Sequence, residues 1–277
     1  MFKRPRFKSK RPPRIAGLSI NRLIPNILTL LALCAGLTSI RFAVHAKWEM
    51  AVAAILLAGV LDGLDGRIAR LLQGTSKFGA ELDSLSDFVS FGVAPAMVLY
   101  FWTMQGAGGL GWAMVLLFAV CCAMRLARFN TMLGEPDLPA YAYNFFTGVP
   151  APAAAGLVLL PMVMTFQFGP GLFDRPIVVA MFLMGVAFMM VSKIPTFSFK
   201  KVRIPHRWVL PILLVVGLAT AFLVTEPWLT LSLLGLVYLS TIPLAVKSFR
   251  RLKRQADEVA GQAPTAPPPV DQQQAPG

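Results

Sequence analysis

Residues 57–92, LAGVLDGLDGRIARLLQGTSKFGAELDSLSDFVSFG, are the most informative part of the chain, because they place acidic side chains in segments that also have the apolar character of membrane spans. They include Asp62, Asp65, Asp83 and Asp87, whereas the whole chain has only 13 Asp and Glu residues. Ionised carboxylates within a bilayer cost free energy unless something compensates them. Four of them in two neighbouring segments therefore indicate a functional site.

The composition around this stretch is that of a membrane protein. Of the 277 residues, 56% are hydrophobic and only 14% are charged, whereas a soluble domain carries about a quarter charged residues. The net charge of +13 could indicate nucleic-acid binding, but the basic residues cluster between apolar runs, as topology signals do. We therefore expect a lipid bilayer, and no nucleic acid, as the partner of this surface.

Apolar runs near the ~20 residues that a bilayer requires predict eight transmembrane helices. They cover residues 24–46, 48–69, 86–104, 110–129, 146–167, 176–194, 208–225 and 228–247. With this assignment, 23 of the 26 Lys and Arg residues fall on the side of the N-terminus. The positive-inside rule then predicts a multi-pass protein with both termini in the cytoplasm, in a bacterial-type inner membrane.

The predicted fold is an all-α, polytopic membrane helical bundle with three regions. Residues 1–20 form a basic cytoplasmic segment, and residues 21–247 form the membrane domain. The basic start could precede a cleaved signal peptide, but the apolar run is long and no clear cleavage site follows, which favours an uncleaved first span. Residues 248–277 are basic and then rich in Pro and Gln, and we expect a disordered cytoplasmic tail.

Helical spacing brings the acidic residues of the opening stretch together. At roughly 100° per residue, Asp62 and Asp65 lie on one side of the second span near its cytoplasmic end. Asp83 and Asp87 are four residues apart, so they share one face of the third span. The short link LLQGTSK (residues 71–77) makes the two helices an antiparallel hairpin. The two acidic faces are therefore expected to meet.

Clustered carboxylates repel one another, and a pair of divalent cations would relieve both the repulsion and the cost of burial. Oxygen-only ligands suit Mg²⁺ or Mn²⁺. Glycines beside the acids allow close approach of a ligand, and Arg70 provides a fixed cation that suits a phosphate. A site for a pyrophosphate compound is favoured. A proton relay and a structural acid cluster paired with arginines remain alternatives.

The spacing Asp62-x2-Asp65-Gly66-x2-Ala69-Arg70-x8-Gly79-x3-Asp83-x3-Asp87 resembles the complete signature of the CDP-alcohol phosphatidyltransferase family. The resemblance implies a core of six membrane helices around a cavity that binds a CDP-linked lipid and two divalent metals. It implies metal ligation by Asp62, Asp65, Asp83 and Asp87, with Asp87 also acting as general base. A homodimer is expected from the same resemblance.

The family resemblance also nominates nucleotide contacts. By position, Gly66, Arg70, Ser76 and Gly79 would contact the CDP moiety. The motif PNILT on the first span resembles the family's first-helix nucleotide contact and adds Asn26 and Thr29. Asn26 could equally be an ordinary residue at the start of a helix.

Three further stretches resemble the members of the family that use serine as acceptor. They are MRLARFN (124–130), FFTGVPAPAAAG (145–156) and SKIPTFSFKK (192–201). Arg125, Arg128 and Asn130 are candidates for contact with the acceptor or a lipid phosphate. The two arginines could instead be topology signals at the end of a span.

The expected reaction is therefore transfer of the phosphatidyl group of CDP-diacylglycerol to L-serine, giving phosphatidylserine and CMP. The same chemistry with glycerol phosphate, inositol phosphate or choline is the first alternative. A divalent-cation carrier built on the same carboxylates is the alternative without catalysis.

Overall fold

The computed structural model describes residues 20–132, 145–192, 194–197 and 208–261. The predicted basic N-terminal segment, except Ile20, and the Pro/Gln-rich stretch at 262–277 lie outside these residues. The helices are α1 (Ile20–Val44), α2 (Trp48–Leu71), α3 (Lys77–Asp87), α4 (Ala94–Trp102), α5 (Gly108–Met132), α6 (Ala151–Val158), α7 (Leu160–Phe168), α8 (Pro176–Val191), α9 (Val209–Thr225) and α10 (Pro227–Gly261).

The connections between these helices include four short elements. A π-helical turn at Phe88–Val93 joins α3 to α4, and a 3₁₀ turn at Met104–Ala107 precedes α5. Strands β1 (Phe145–Thr147) and β2 (Pro195–Phe197) form an antiparallel pair. These two strands are the only ones in the described part of the chain, so the predicted all-α class is confirmed.

The described helices fit a polytopic membrane protein. Among the residues that the structure describes, five helical stretches are long and apolar enough to cross a bilayer: Leu23–Val44, Lys77–Trp102, Met104–Thr131, Ala151–Phe168 and Pro227–Phe249. Helices α8 and α9 are apolar but shorter. The 24-residue helix α2 is long enough to cross but carries Asp62, Asp65 and several other charged residues. The chain is therefore an integral membrane protein in which two of the signature aspartates lie on a helix of membrane-spanning length.

Several predicted boundaries were wrong, for local reasons. The third span begins at Lys77 and not at 86, because Ser76 caps the helix by accepting a hydrogen bond from the Gly79 amide. The fifth begins only at Ala151, since β1 occupies 145–147. The last helix runs on to Gly261, through the basic residues that the sequence assigned to the tail.

Close packing of α1 against α3 and the π-helical turn forms the frame of the bundle. Ser86 Oγ donates to the carbonyl of Thr29 (3.1 Å), and Ser90 Oγ donates to that of Ala32 (3.3 Å). A Cβ atom on Gly36 would lie 2.8 Å from the Cα atom of Ser90, so glycine is required for this approach. These contacts hold α3 in place beside α1. We call the end of the bundle where α1 begins, α2 ends and α3 begins the site end.

Candidate active site

The turn between α2 and α3 brings their acidic faces together at the site end. Gln73 adopts a positive φ of 50°, and the amide of Gly74 donates to the carbonyl of Ala69 (2.9 Å). Ser76 then caps α3 through the amide of Gly79 (3.0 Å). The predicted hairpin is present, and its turn is fixed by a backbone hydrogen bond at the α2 end and by the Ser76 side-chain cap at the α3 end.

Three of the four signature carboxylates form one cluster. Oxygen atoms of Asp62, Asp83 and Asp87 lie within 4.8 Å of one another, and all three side chains are half-buried. Within the described residues, no ion pair joins this cluster to Arg67, Arg70 or Arg125. The alternative of a structural acid cluster neutralised by direct arginine pairs therefore has no support in this geometry.

Asp65 lies next to this cluster and not within it. Only 4% of its surface is exposed, and its Oδ2 atom accepts a 2.5 Å hydrogen bond from Thr29 Oγ1. Thr29 itself is 4% exposed, and it was predicted to contact the nucleotide. In the structure its hydroxyl holds a signature carboxylate in place. Sequence spacing alone gave no sign of this hydrogen bond, because the two residues lie on different helices.

A cavity of about 180 Å³ opens beside Asp65 and Asp83. Its lining includes all six residues that the sequence nominated for the nucleotide: Asn26, Thr29, Gly66, Arg70, Ser76 and Gly79. The wall of the cavity therefore contains the carboxylates of Asp65 and Asp83 together with an exposed arginine, Arg70. Such a wall suits a ligand that carries both phosphates and metal ions.

Two glycines shape the cavity in different ways. A Cβ atom on Gly66 would meet nothing within 4 Å, so this position leaves open space for a ligand. A Cβ atom on Gly79 would lie 2.9 Å from Asn26 Oδ1. Gly79 therefore lets the Asn26 side chain reach the cavity wall, which is a reason for glycine that the sequence pattern did not reveal.

The donor set of the cluster fits a divalent cation. Asp62, Asp83 and Asp87 offer only carboxylate oxygens, which are the ligands of Mg²⁺ and Mn²⁺ rather than of zinc or copper. Asp65 is near enough to line the same cavity as Asp83, although its carboxylate is already engaged by Thr29. The predicted ligation by all four aspartates stays a prediction.

The three candidate acceptor residues on α5 have different surroundings. Arg125 is half-buried, lies close enough to Asp87 for their charges to interact, and its Nε atom is buried without a hydrogen-bond partner. Arg128 donates from Nη1 to the carbonyl of Val191 (2.8 Å). Asn130 Nδ2 donates to Ser84 Oγ (2.9 Å). Of the three, Arg125 is the one with a free buried donor beside the carboxylates.

Comparison with known sequences agrees with the geometry of this site. A family model described as CDP-alcohol phosphatidyltransferase matches residues 22–192, and one described as CDP-alcohol phosphatidyltransferase 2 matches residues 207–243. The first match contains the whole signature, the cavity and the α5 arginines. More than half of the chain is covered by it.

Similar proteins from several bacteria are named CDP-diacylglycerol–serine O-phosphatidyltransferase. The protein of Mycobacterium tuberculosis (strain ATCC 25618 / H37Rv) is 39% identical over 85% of this chain and 82% of its own length. That of Mycobacterium leprae (strain TN) is 41% identical over 83% of this chain and 77% of its own length. That of Helicobacter pylori (strain ATCC 700392 / 26695) is 37% identical over 78% of this chain and 88% of its own length.

Proposed function

The chain belongs to the CDP-alcohol phosphatidyltransferase family, and we propose that it transfers the phosphatidyl group of CDP-diacylglycerol to L-serine, with phosphatidylserine and CMP as products. The observation that carries this proposal is the carboxylate cluster of Asp62, Asp83 and Asp87 beside a cavity lined by Arg70. The acceptor is inferred from the names of the similar proteins, which cover most of this chain.

The cavity between α1, α2 and α3 binds the CDP moiety in this proposal. Arg70 is exposed at the cavity wall and provides charge-assisted hydrogen bonds to the pyrophosphate. Gly66 leaves room for the ligand to approach the helix backbone. Asn26 and Ser76 supply further polar groups to the cavity wall. Two bound divalent cations, Mg²⁺ or Mn²⁺, would neutralise the pyrophosphate charge as the phosphoanhydride bond breaks.

Asp87 acts as the general base in this mechanism. Its carboxylate takes the proton of the serine hydroxyl, and the hydroxyl oxygen forms a bond to the phosphorus that carries diacylglycerol. The bond from that phosphorus to the bridging oxygen breaks, and CMP leaves with the bonding electron pair. Two observations support this role: Asp87 lies in the cluster with Asp62 and Asp83, and its charge interacts with Arg125, the candidate acceptor contact.

Arg125 is the proposed ligand of the serine carboxylate. Its charge interacts with Asp87, and its buried Nε atom has no partner within the described residues. An unpaired buried donor costs free energy that an anionic ligand would recover. A serine bound at Arg125 would carry its hydroxyl towards Asp87.

The proposed orientation of the protein in the membrane is based on its basic residues, and its proposed oligomeric state is based on the family. We place the site end in the cytoplasm of a bacterial-type cell, because most of the basic residues flank that end of the predicted spans. A homodimer is proposed on the family resemblance alone.

Purified protein in detergent micelles tests the proposal directly. CMP release and lipid product are measured with CDP-diacylglycerol and, in turn, serine, glycerol phosphate, inositol phosphate and choline. We expect phosphatidylserine and CMP in equal amounts, with loss of both when the divalent cation is chelated. Asp62→Asn is expected to be inactive, whereas Glu49→Gln, an equal charge change at the exposed opposite end of the same helix, is expected to retain activity.

Each other outcome has a distinct meaning. Turnover with a different alcohol and not with serine would show that the proposed acceptor is wrong and that the proposed class of reaction is right. Binding of the divalent cation, without release of CMP from CDP-diacylglycerol in the presence of any of the alcohols, would favour a cation carrier.

A further inference from the structure

The C-terminal end of α8 is a junction of three segments that are distant in sequence. The last carbonyl groups of a helix have no partners within the helix and require donors from elsewhere. Here the donors come from α5 and from the residues that precede α6. These are the same stretches in which the sequence resembles serine-using members of the family.

Arg128 supplies one of these donors. Its Nη1 atom donates to the carbonyl of Val191, the last residue of α8, at 2.8 Å. A cation at this position also interacts favourably with the negative end of the helix dipole. In the structure Arg128 therefore has a hydrogen-bond acceptor within the protein, whereas the buried Nε atom of Arg125 has no hydrogen-bond partner among the described residues.

Gly148 supplies the second attachment. It has a positive φ of 77°, and its amide donates to the carbonyl of Ile194 (2.8 Å). A Cβ atom there would lie 2.6 Å from the carbonyl oxygen of Met190. The next amide, that of Val149, donates to the carbonyl of Met189 (3.4 Å). Only glycine allows the chain to cross the end of α8 this closely.

The paired strands β1 and β2, which we call the ribbon, extend from this junction. Phe146 pairs with Thr196 at the centre of the ribbon. The ribbon leads into α6, which packs against the π-helical turn that follows Asp87, and β2 packs against α10. Arg125 lies on the same face of α5 as Arg128, about 4.5 Å along the helix axis. The junction at the end of α8 is therefore connected both to the surroundings of Asp87 and to those of Arg125.

We propose that Arg128 is a positioning residue: it ties α5 to the end of α8, where the ribbon is also attached, and so fixes the acceptor side of the site, while Arg125 makes the contact with the acceptor. This inference rests on the proposed phosphatidyl transfer. It separates two arginines that the sequence could only treat as a pair. It also predicts that the junction controls use of the acceptor and not binding of the CDP-linked lipid.

The test compares Arg128→Gln, Arg128→Lys and Gly148→Ala with wild type in the full-length purified protein. Michaelis constants are measured for serine and for CDP-diacylglycerol, together with the ratio of phosphatidylserine to phosphatidate. Phosphatidate reports attack by water when serine is poorly placed. We expect Arg128→Gln to raise KM for serine roughly tenfold, the size of one charge-assisted hydrogen bond. Gly148→Ala should raise it in the same direction, because its Cβ atom would force the chain away from the end of α8. KM for CDP-diacylglycerol should stay within about twofold, well below that effect.

Lysine should restore most of the serine affinity, because a single contact to a carbonyl group requires a cation and not a planar guanidinium. The double variant Arg128→Gln/Gly148→Ala should be no worse than either single variant, since both release the same junction. Arg175→Gln is the matched control: it removes an arginine that donates to the carbonyl of Gly171 (3.1 Å) in an exposed loop before α8.

Three results would overturn the proposal. They are an unchanged serine KM and phosphatidate ratio in Arg128→Gln and Gly148→Ala, an equal rise in both Michaelis constants, or failure of Arg128→Lys to improve on Arg128→Gln. If Arg128→Gln does not fold, Gly148→Ala carries the same comparison. If the proposed function is wrong, the wild-type protein itself makes no phosphatidylserine, which is a separate result. The variants are then compared with the alcohol that the wild-type protein accepts.

Discussion

Replacing Thr29 with Val tests how the buried carboxylates are held, because it removes a hydroxyl group and nearly preserves the side-chain shape. Thr29 Oγ1 donates to Asp65 Oδ2 at 2.5 Å, and both residues are 4% exposed. A hydrogen bond to a charged group contributes about 1.5–3 kcal/mol, which corresponds to roughly 10–150-fold in an equilibrium constant. Losing a partner that orients a metal ligand costs about 10–100-fold in metal affinity or activity. We therefore expect a loss of about 10–100-fold.

The assay is CMP release titrated with Mg²⁺ or Mn²⁺, which gives the half-saturating metal concentration and kcat/KM. Thr38→Val is the control: it lies on the same helix and its hydroxyl donates only to the carbonyl of Cys34 (2.6 Å), a bond of the same type as that between Thr29 and Pro25. Thr29→Val should require much more metal or turn over much more slowly than Thr38→Val. If the two variants both stay within about twofold of wild type, far below the expected loss, the hydroxyl does not position Asp65 and this part of the account is wrong.

Three further substitutions test the cavity and the cluster. Asp83→Asn should abolish CMP release without loss of folded protein in the membrane, since an amide is a poor ligand for hard cations; activity restored by excess Mn²⁺ would contradict this. Gly66→Ala should raise KM for CDP-diacylglycerol, because its Cβ atom enters open cavity space, and should also stabilise the helix by about 0.5–1 kcal/mol. Gly63→Ala is the control, since a Cβ atom there is equally unobstructed but lies outside the cavity lining. It should show only the gain in stability, measured by thermal unfolding. Arg70→Ala should weaken binding of CDP-diacylglycerol roughly 10–150-fold, whereas the same change at the exposed Arg67, also outside the lining, should not.

The helical spacing of the signature predicted the centre of the site. Asp83 and Asp87 share a face because four residues make about one helical turn, and the short link places Asp62 opposite them. These are local properties of one hairpin. They could be predicted because neither requires knowledge of how the rest of the bundle packs.

The remaining features depend on tertiary contacts. The π-helical turn at Phe88–Val93 packs against α1 through the close approach of Gly36 to Ser90, two residues far apart in sequence. The separate position of Asp65 follows from a hydroxyl group on α1. The attachment of Arg128 to the end of α8 likewise joins residues far apart in sequence. No periodicity within one helix could reveal these pairings.

The central claim is that Asp87 is the base for phosphatidyl transfer at this carboxylate cluster. Asp87→Asn is the most direct test, because asparagine keeps the size and one ligating oxygen but cannot take a proton from serine. Binding of CDP-diacylglycerol and the rate of the chemical step are measured separately, by equilibrium binding and by single-turnover CMP release. We expect binding to survive and the chemical step to slow by about 10²–10⁴-fold, with no rescue at higher pH or metal concentration. Near-normal turnover at high metal concentration would show that Asp87 is only a ligand and that the base lies elsewhere.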